Sequence, residues 1–184
     1  MRAAVVAGLC ASLVACTRTL GRDPPNFSPP ADVVPAVVPL VVDAQFDSVT
    51  RSKIEEAIDH WNYALHGYRV LYFAGVTPIP LAAKVPENAW TISFAERAPP
   101  PPEVADGAIA WVAALGSGNI HLTPHGYRVG VIIHEIGHSL GLRHLPGTVM
   151  APAGNGKNCI DGETLDSLAD VTGWDRRKLR STCP

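Results

Sequence analysis

The run from His134 to His144, HEIGHSLGLRH, constrains this chain more than any other stretch. An α-helix advances about 1.5 Å and turns about 100° per residue, so His134 and His138 fall one turn apart on one face, about 6 Å along the axis. Their rings can converge on one cation. Glu135 lies beside His134 and points toward the same cleft, where it can hold a water acidified by that cation without binding the ion itself. Gly141 stops the helix, because glycine enters the left-handed region at little cost, and the chain can turn back to deliver His144 as a third donor. A fourth position is left for solvent or substrate. Val129, Ile132, Ile133, Ile136 and Leu140 form an apolar stripe on the other side of the same helix, which has to face a core. Read as plain buried hydrogen-bonding groups, two imidazoles and a carboxylate on one helical face are costly to desolvate without a cation.

Met150 follows six residues after His144, in a turn that contains Pro146 and Gly147. The whole pattern, HExxHxxGxxH and then a turn bearing methionine, resembles the metzincin clan of zinc endopeptidases. The likeness covers His134 to Met150 directly. Upstream, Gly118 to Leu122 is similar to the strand that precedes the zinc helix in matrixins, and Asp106 to Val112 to their substrate-binding edge strand. Leu145, after the third donor, matches none of the common metzincin families, and Ala151 stands where astacins and serralysins carry a tyrosine. The resemblance is therefore to the clan, in a matrixin-like form. It implies one catalytic zinc on His134, His138 and His144, Glu135 as general base, and Met150 as an apolar floor beneath the rings, supported by the stop at Gly141. The implied reaction is hydrolysis of a protein or peptide substrate.

The ends of the chain point outward from the cell. Arg2 precedes an apolar run from Ala3 to Ala15 that is too short to span a bilayer and reads as a secretory signal peptide over 1–15. It closes on Leu13, Val14, Ala15 and Cys16, which resembles a bacterial lipobox, so Cys16 is expected to carry a lipid anchor. Thr17 after it implies sorting to an outer membrane where the cell has one; cleavage without acylation would instead release a secreted protein. Residues 16–39 hold prolines at 24, 25, 29, 30, 35 and 39 and read as a tether, extended at about 3.1 Å per residue if it is polyproline-like. Residues 40–184 remain for a single domain, expected to be a monomer. With Cys10 in the signal and Cys16 lipidated, Cys159 and Cys183 are left as a pair, and export suggests a disulfide worth about 3 kcal/mol.

Within the domain the expected elements are a strand at Val37–Val42, a long helix capped by Asp47 or Ser48, and strands at Tyr68–Phe73, Trp90–Ala95, Gly107–Val112 and Asn119–Leu122. Ile54, Ala57, Ile58, Trp61 and Leu65 recur at helical spacing, so that first helix packs on the sheet. The fold class is α+β: a twisted, mixed five-stranded sheet with a long helix and the zinc-binding helix on one side, and a small C-terminal subdomain with a helix from Glu163 to Val171. Prolines 99–102 keep their loop out of the sheet. Arg176, Arg177, Lys178 and Arg180 read as the solvated face of a last helix.

The formal net charge is −2 and no larger basic cluster exists, so the sequence gives no sign of a nucleic-acid partner and none is expected. His60 and His66 read as surface or helix-end residues. Matrixins use a histidine in the strand before the zinc helix for a second, structural zinc, which puts His121 forward as a ligand, while His125 belongs to the helix entry. Gly116, Gly118 and Asn119 offer carbonyls to a calcium ion without an acidic cluster beside them. Two rival functions stay open beside peptide hydrolysis: a membrane-tethered zinc protein that binds without turnover, and a zinc hydrolase of a non-protein amide.

Overall fold

The computed structural model describes residues 36–78, 88–97, 100–102, 104, 107–152 and 156–184. The signal segment, Cys16 and the proline-rich stretch up to residue 35 lie outside the described residues. No helix among the described residues is long and apolar enough to cross a membrane.

In chain order the elements are β1 (Ala36–Asp43), α1 (Ser48–Leu65), β2 (Arg69–Thr77), β3 (Trp90–Phe94), β4 (Ala110–Val112), β5 (Asn119–Leu122), α2 (Val129–Ser139) and α3 (Gly162–Thr172). The strands form one mixed sheet in the order β2-β1-β3-β5-β4. β1 runs parallel to β2 and β3, β3 runs parallel to β5, and only β4 is antiparallel, at the edge beside β5. The α1 crossover is what makes β1 and β2 parallel neighbours, since parallel strands need a connection longer than a hairpin. Asp47 caps α1 by accepting from the Thr50 amide at 2.7 Å.

The sheet is two-faced. Leu40, Val42, Leu71, Phe73, Ile92, Ile120 and Leu122 alternate onto the face that shares one core with Ile54, Ile58, Trp61 and Leu65 of α1 and Ile132, Ile133 and Ile136 of α2. Both helices therefore pack on the same side. The indole nitrogen of Trp61 donates to the Ile133 carbonyl at 2.9 Å, fixing α1 against α2 one residue before His134. Ile160, Leu165, Leu168 and Leu179 of the C-terminal part belong to this same core.

Three boundaries differ from the sequence reading. β2 runs to Thr77, where Val41, Val42 and Asp43 pair with Gly75, Val76 and Thr77 beyond a slip in register between Leu40 and Val41, and Gly75 takes a φ of 149° there. β4 begins only at Ala110, since Gly107 sits at φ 81° and turns the chain before the ladder starts. The basic run is not the face of a last helix: Gly173 ends α3 in the left-handed region, and Arg176–Lys178 form a separate 3-10 turn. Between β4 and β5 the Ser117 amide donates to Ala114, and the Gly116 amide donates to His138 at the end of α2.

Candidate metal centre

The end of α2 builds the site. Leu140 caps the helix, Gly141 takes a φ of 97°, the Gly141 amide donates to His138 and the Leu142 amide donates to Gly137. This pair of bonds is the Schellman stop, in which a left-handed residue satisfies the last helical carbonyls and reverses the chain. The reversal carries His144 back over α2. The ring centroids of His134, His138 and His144 then lie 4.6, 5.3 and 4.8 Å apart, and one donor atom from each falls within 4.8 Å of the others. This group can hold a metal ion.

Carbonyls decide which nitrogens face the centre. His134 Nδ1 lies 2.9 Å from the Val149 oxygen and His138 Nδ1 lies 2.7 Å from the Leu142 oxygen. A carbonyl only accepts, so both Nδ1 atoms carry the proton and both Nε2 atoms keep their lone pairs for an ion. Burial pushes His134 down to about 4, and the neighbouring His138 adds to the effect. Burial also lowers His138. Both rings are thus neutral at physiological pH, the form that ligates.

Glu135 is 4% exposed, and its Oε2 is buried with no hydrogen-bond partner. Burial pushes its carboxyl up to about 8. A buried carboxylate without a donor is an electrostatic deficit that an adjacent cation relieves. The donor set and this orphaned oxygen fit a divalent ion together.

The turn that ends at Met150 is closed on itself. The Leu145 amide donates to the Met150 carbonyl at 2.9 Å, and the Met150 amide donates to the Thr148 hydroxyl at 3.0 Å. Met150 is buried with its thioether against Gly137, so close that a methyl group on Gly137 would collide with it. Sequence reasoning missed Gly137, although its place inside the motif was the available signal. It also missed the Leu142 and Val149 carbonyls and Asp161, whose Oδ2 accepts from the Val149 amide at 3.0 Å.

The remaining histidines lie apart from the triad. His60 and His66 are half-buried on α1 or at its end, and His66 is the left-handed cap of that helix at φ 43°. His125 is exposed in the turn before α2. His121 is buried on β5, with Nδ1 2.9 Å from the Ser93 hydroxyl and its ring 5.7 Å from Trp111. Among the described residues, His121 belongs to no group of three or more donors that can hold a metal. A separate groove of about 470 Å³ between α1 and the C-terminal tail, lined by Glu56, Asp59, His60 and Tyr63 among others, holds no such group either.

Cys159 and Cys183 are joined in a disulfide.

No protein-family model matches this chain, and no curated protein does. Among solved structures, one described as the structure of a chaperone-substrate complex is similar at 16% identity with a TM-score of 0.44. The match covers 69% of this chain and 28% of that one.

Proposed function

We propose that this chain is a zinc-dependent endopeptidase of metzincin type. The observation that carries the reading is the convergence of His134, His138 and His144 beside a buried, unpartnered Glu135 oxygen. A structural cation site does not need that carboxyl; a hydrolytic one does. Three protein donors leave a position open, as catalytic rather than structural zinc sites do.

Zinc, when bound, supplies Lewis acidity: it brings the pKa of water to about 7 and polarises a carbonyl. The chain's own groups do the rest. The Val149 and Leu142 carbonyls hold the His134 and His138 rings in the ligating tautomer. Glu135 accepts a proton from the attacking water at its carboxylate and passes it to the departing amine. Met150 and Gly137 keep the floor of the site dry and close-packed.

Substrate binding is assigned to β4. The Ala113 amide donates to Asn119 and the Thr123 amide to Ile109, so in an antiparallel ladder residues 109, 111 and 113 bond to β5 while 110 and 112 direct their amides and carbonyls away from the sheet. β4 packs against α2, and an extended peptide can add to its free edge through main-chain bonds. Exported as a lipoprotein acylated at Cys16, the domain would work at the cell envelope on protein substrates; mass measurement of the mature N-terminal peptide tests that anchor.

The activity test is incubation of the purified chain with unfolded protein and a peptide library, with and without chelator and alongside Glu135→Ala. Cleavage that both the chelator and the substitution abolish supports the reading. Stoichiometric zinc without cleavage of any peptide leaves the tethered binding protein or the hydrolase of a non-protein amide, and absence of bound metal in freshly purified protein overturns all three.

A further inference from the structure

We infer that Asp161 is a positioning residue for the metal centre: its carboxylate fixes the Val149 amide, and the Val149 carbonyl in turn orients the His134 ring. This rests on the metal site proposed above.

Asp161 performs two tasks with two oxygens. Its Oδ1 caps α3, accepting from the Thr164 amide and the Thr164 hydroxyl, each at 3.0 Å. Capping alone does not require a carboxylate, since serine, threonine or asparagine serves equally well. The second oxygen explains the choice. Oδ2 accepts from the Val149 amide at 3.0 Å, with the Lys157 ammonium at 3.5 Å, and the carboxylate is 14% exposed. Val149 is itself buried, and its carbonyl receives the His134 Nδ1 proton at 2.9 Å. The amide and the carbonyl of one residue are thus each engaged, one by Asp161 and one by a metal donor.

Asp161 is in turn anchored from outside the site. Its neighbour Ile160 exchanges bonds with Thr182, the Ile160 amide to the Thr182 hydroxyl at 2.7 Å and the Thr182 amide to the Ile160 carbonyl at 2.9 Å. The Cys159–Cys183 disulfide crosses at the same place. Asn158 reaches the opposite end of the zinc helix, its Oδ1 accepting from the Gly130 amide at 3.1 Å. The segment 158–161 therefore grips both the start of α2 and the methionine turn, the two supports between which the donors are held. Partners outside the ligand shell of this sort set ring orientation, and losing one typically weakens metal binding about 10- to 100-fold.

The test uses the full chain and two variants. Asp161→Ser retains a capping hydroxyl but cannot reach Val149; Thr164→Val removes the hydroxyl that bonds to Oδ1 and leaves the Val149 bond intact. The expected result for Asp161→Ser is a helical circular dichroism spectrum like that of the parent, a zinc dissociation constant raised about 10-fold by chelator competition, and an altered visible absorption band of the Co²⁺-loaded protein. Thr164→Val is expected to lose stability while its dissociation constant and Co²⁺ band stay at the parent values. In the metal-free chain, the His134 Nδ1 proton resonance should move in Asp161→Ser and not in Thr164→Val. An Asp161→Ser protein with the parent's dissociation constant and the parent's His134 resonance overturns the proposal, as does a Thr164→Val protein that binds metal as weakly as Asp161→Ser. If the parent binds no metal, the functional reading above fails by itself, and the His134 resonance still decides the role of Asp161. Should Asp161→Ser not fold, Asp161→Asn, which keeps the shape but only one accepting oxygen, is measured the same way.

Discussion

Gly137 lies between His134 and His138 in the sequence of α2, and its missing side chain is what admits the Met150 thioether against the helix. Alanine there would gain up to about 1 kcal/mol of helix propensity. Overpacking of a filled core typically costs about 1–3 kcal/mol, and the added methyl would meet both Met150, itself 1% exposed, and the buried Trp61, so there is little room to yield. The balance falls on the unfavourable side: Gly137→Ala is expected to lower the thermal midpoint of the metal-free chain and to weaken zinc binding, both measurable by calorimetric titration and melting. Asp161 makes a prediction of another kind. Burial pushes its carboxyl up, but the bonds from Thr164 and Val149 with the Lys157 charge outweigh that and leave it below its ordinary value of 3.8. A carboxyl whose folded value is depressed stabilises the fold fully above the unfolded value, and that contribution vanishes as the pH falls through the folded one. The stability gap between parent and Asp161→Ser in urea melts should therefore be constant from pH 7 to about 5 and close below pH 3.8. A gap that does not narrow at all as the pH falls below 3.8 would show that Asp161 acts through something other than its charge.

Elements show where the sequence was readable and where it was not. The α2 stop was legible, because glycine at a fixed offset from a polar motif has one common meaning; the bonds from Gly141 and Leu142 follow directly from it. So was α1, whose apolar residues repeat at three- and four-residue steps. Local period and local turn chemistry carry that kind of information. Asn62 carries none: it is buried and its side-chain amide bonds both the nitrogen and the oxygen of Leu71, a match between polar groups that no periodicity announces. Asp161 and Asn158 were opaque for the same reason, since their partners lie 12 and 28 residues away in sequence. β4 occupies the middle ground. Its position at the sheet edge was expected, yet only the observed ladder shows which of its amides are free of β5. Replacing Ala110 with proline removes an outward donor without breaking a bond to β5. The expected outcome is a raised KM for peptides with unchanged zinc content and unchanged thermal midpoint; an unaltered KM would exclude this edge as the place where substrate binds.

At the scale of the whole molecule, the C-terminal part closes one side of the shared core. Leu165, Leu168 and Leu179 are buried in the same cluster as the sheet and α1. Trp174 stacks on Tyr68, Arg69 lies 5.8 Å from both Trp90 and Trp174, and the Arg180 amide donates to Ala64 at 3.0 Å. The disulfide spans only 24 residues, and a loop of that size restricts the unfolded chain by about 3 kcal/mol. Because Trp174 also packs on Tyr68 and Arg69 at the start of β2 and Arg180 bonds to Ala64 of α1, that loss should be felt by the whole domain. Cys159→Ser with Cys183→Ser is therefore expected to melt in one transition, at a midpoint lowered by about 6–12 °C, with a zinc affinity that declines because residues 158–161 lose an anchor. Two separate transitions, the first confined to α3 and the tail, would mean that the metal site is built on a sheet and two helices that stand without it, and the coupling from the disulfide through Asp161 to His134 would then have no mechanical basis.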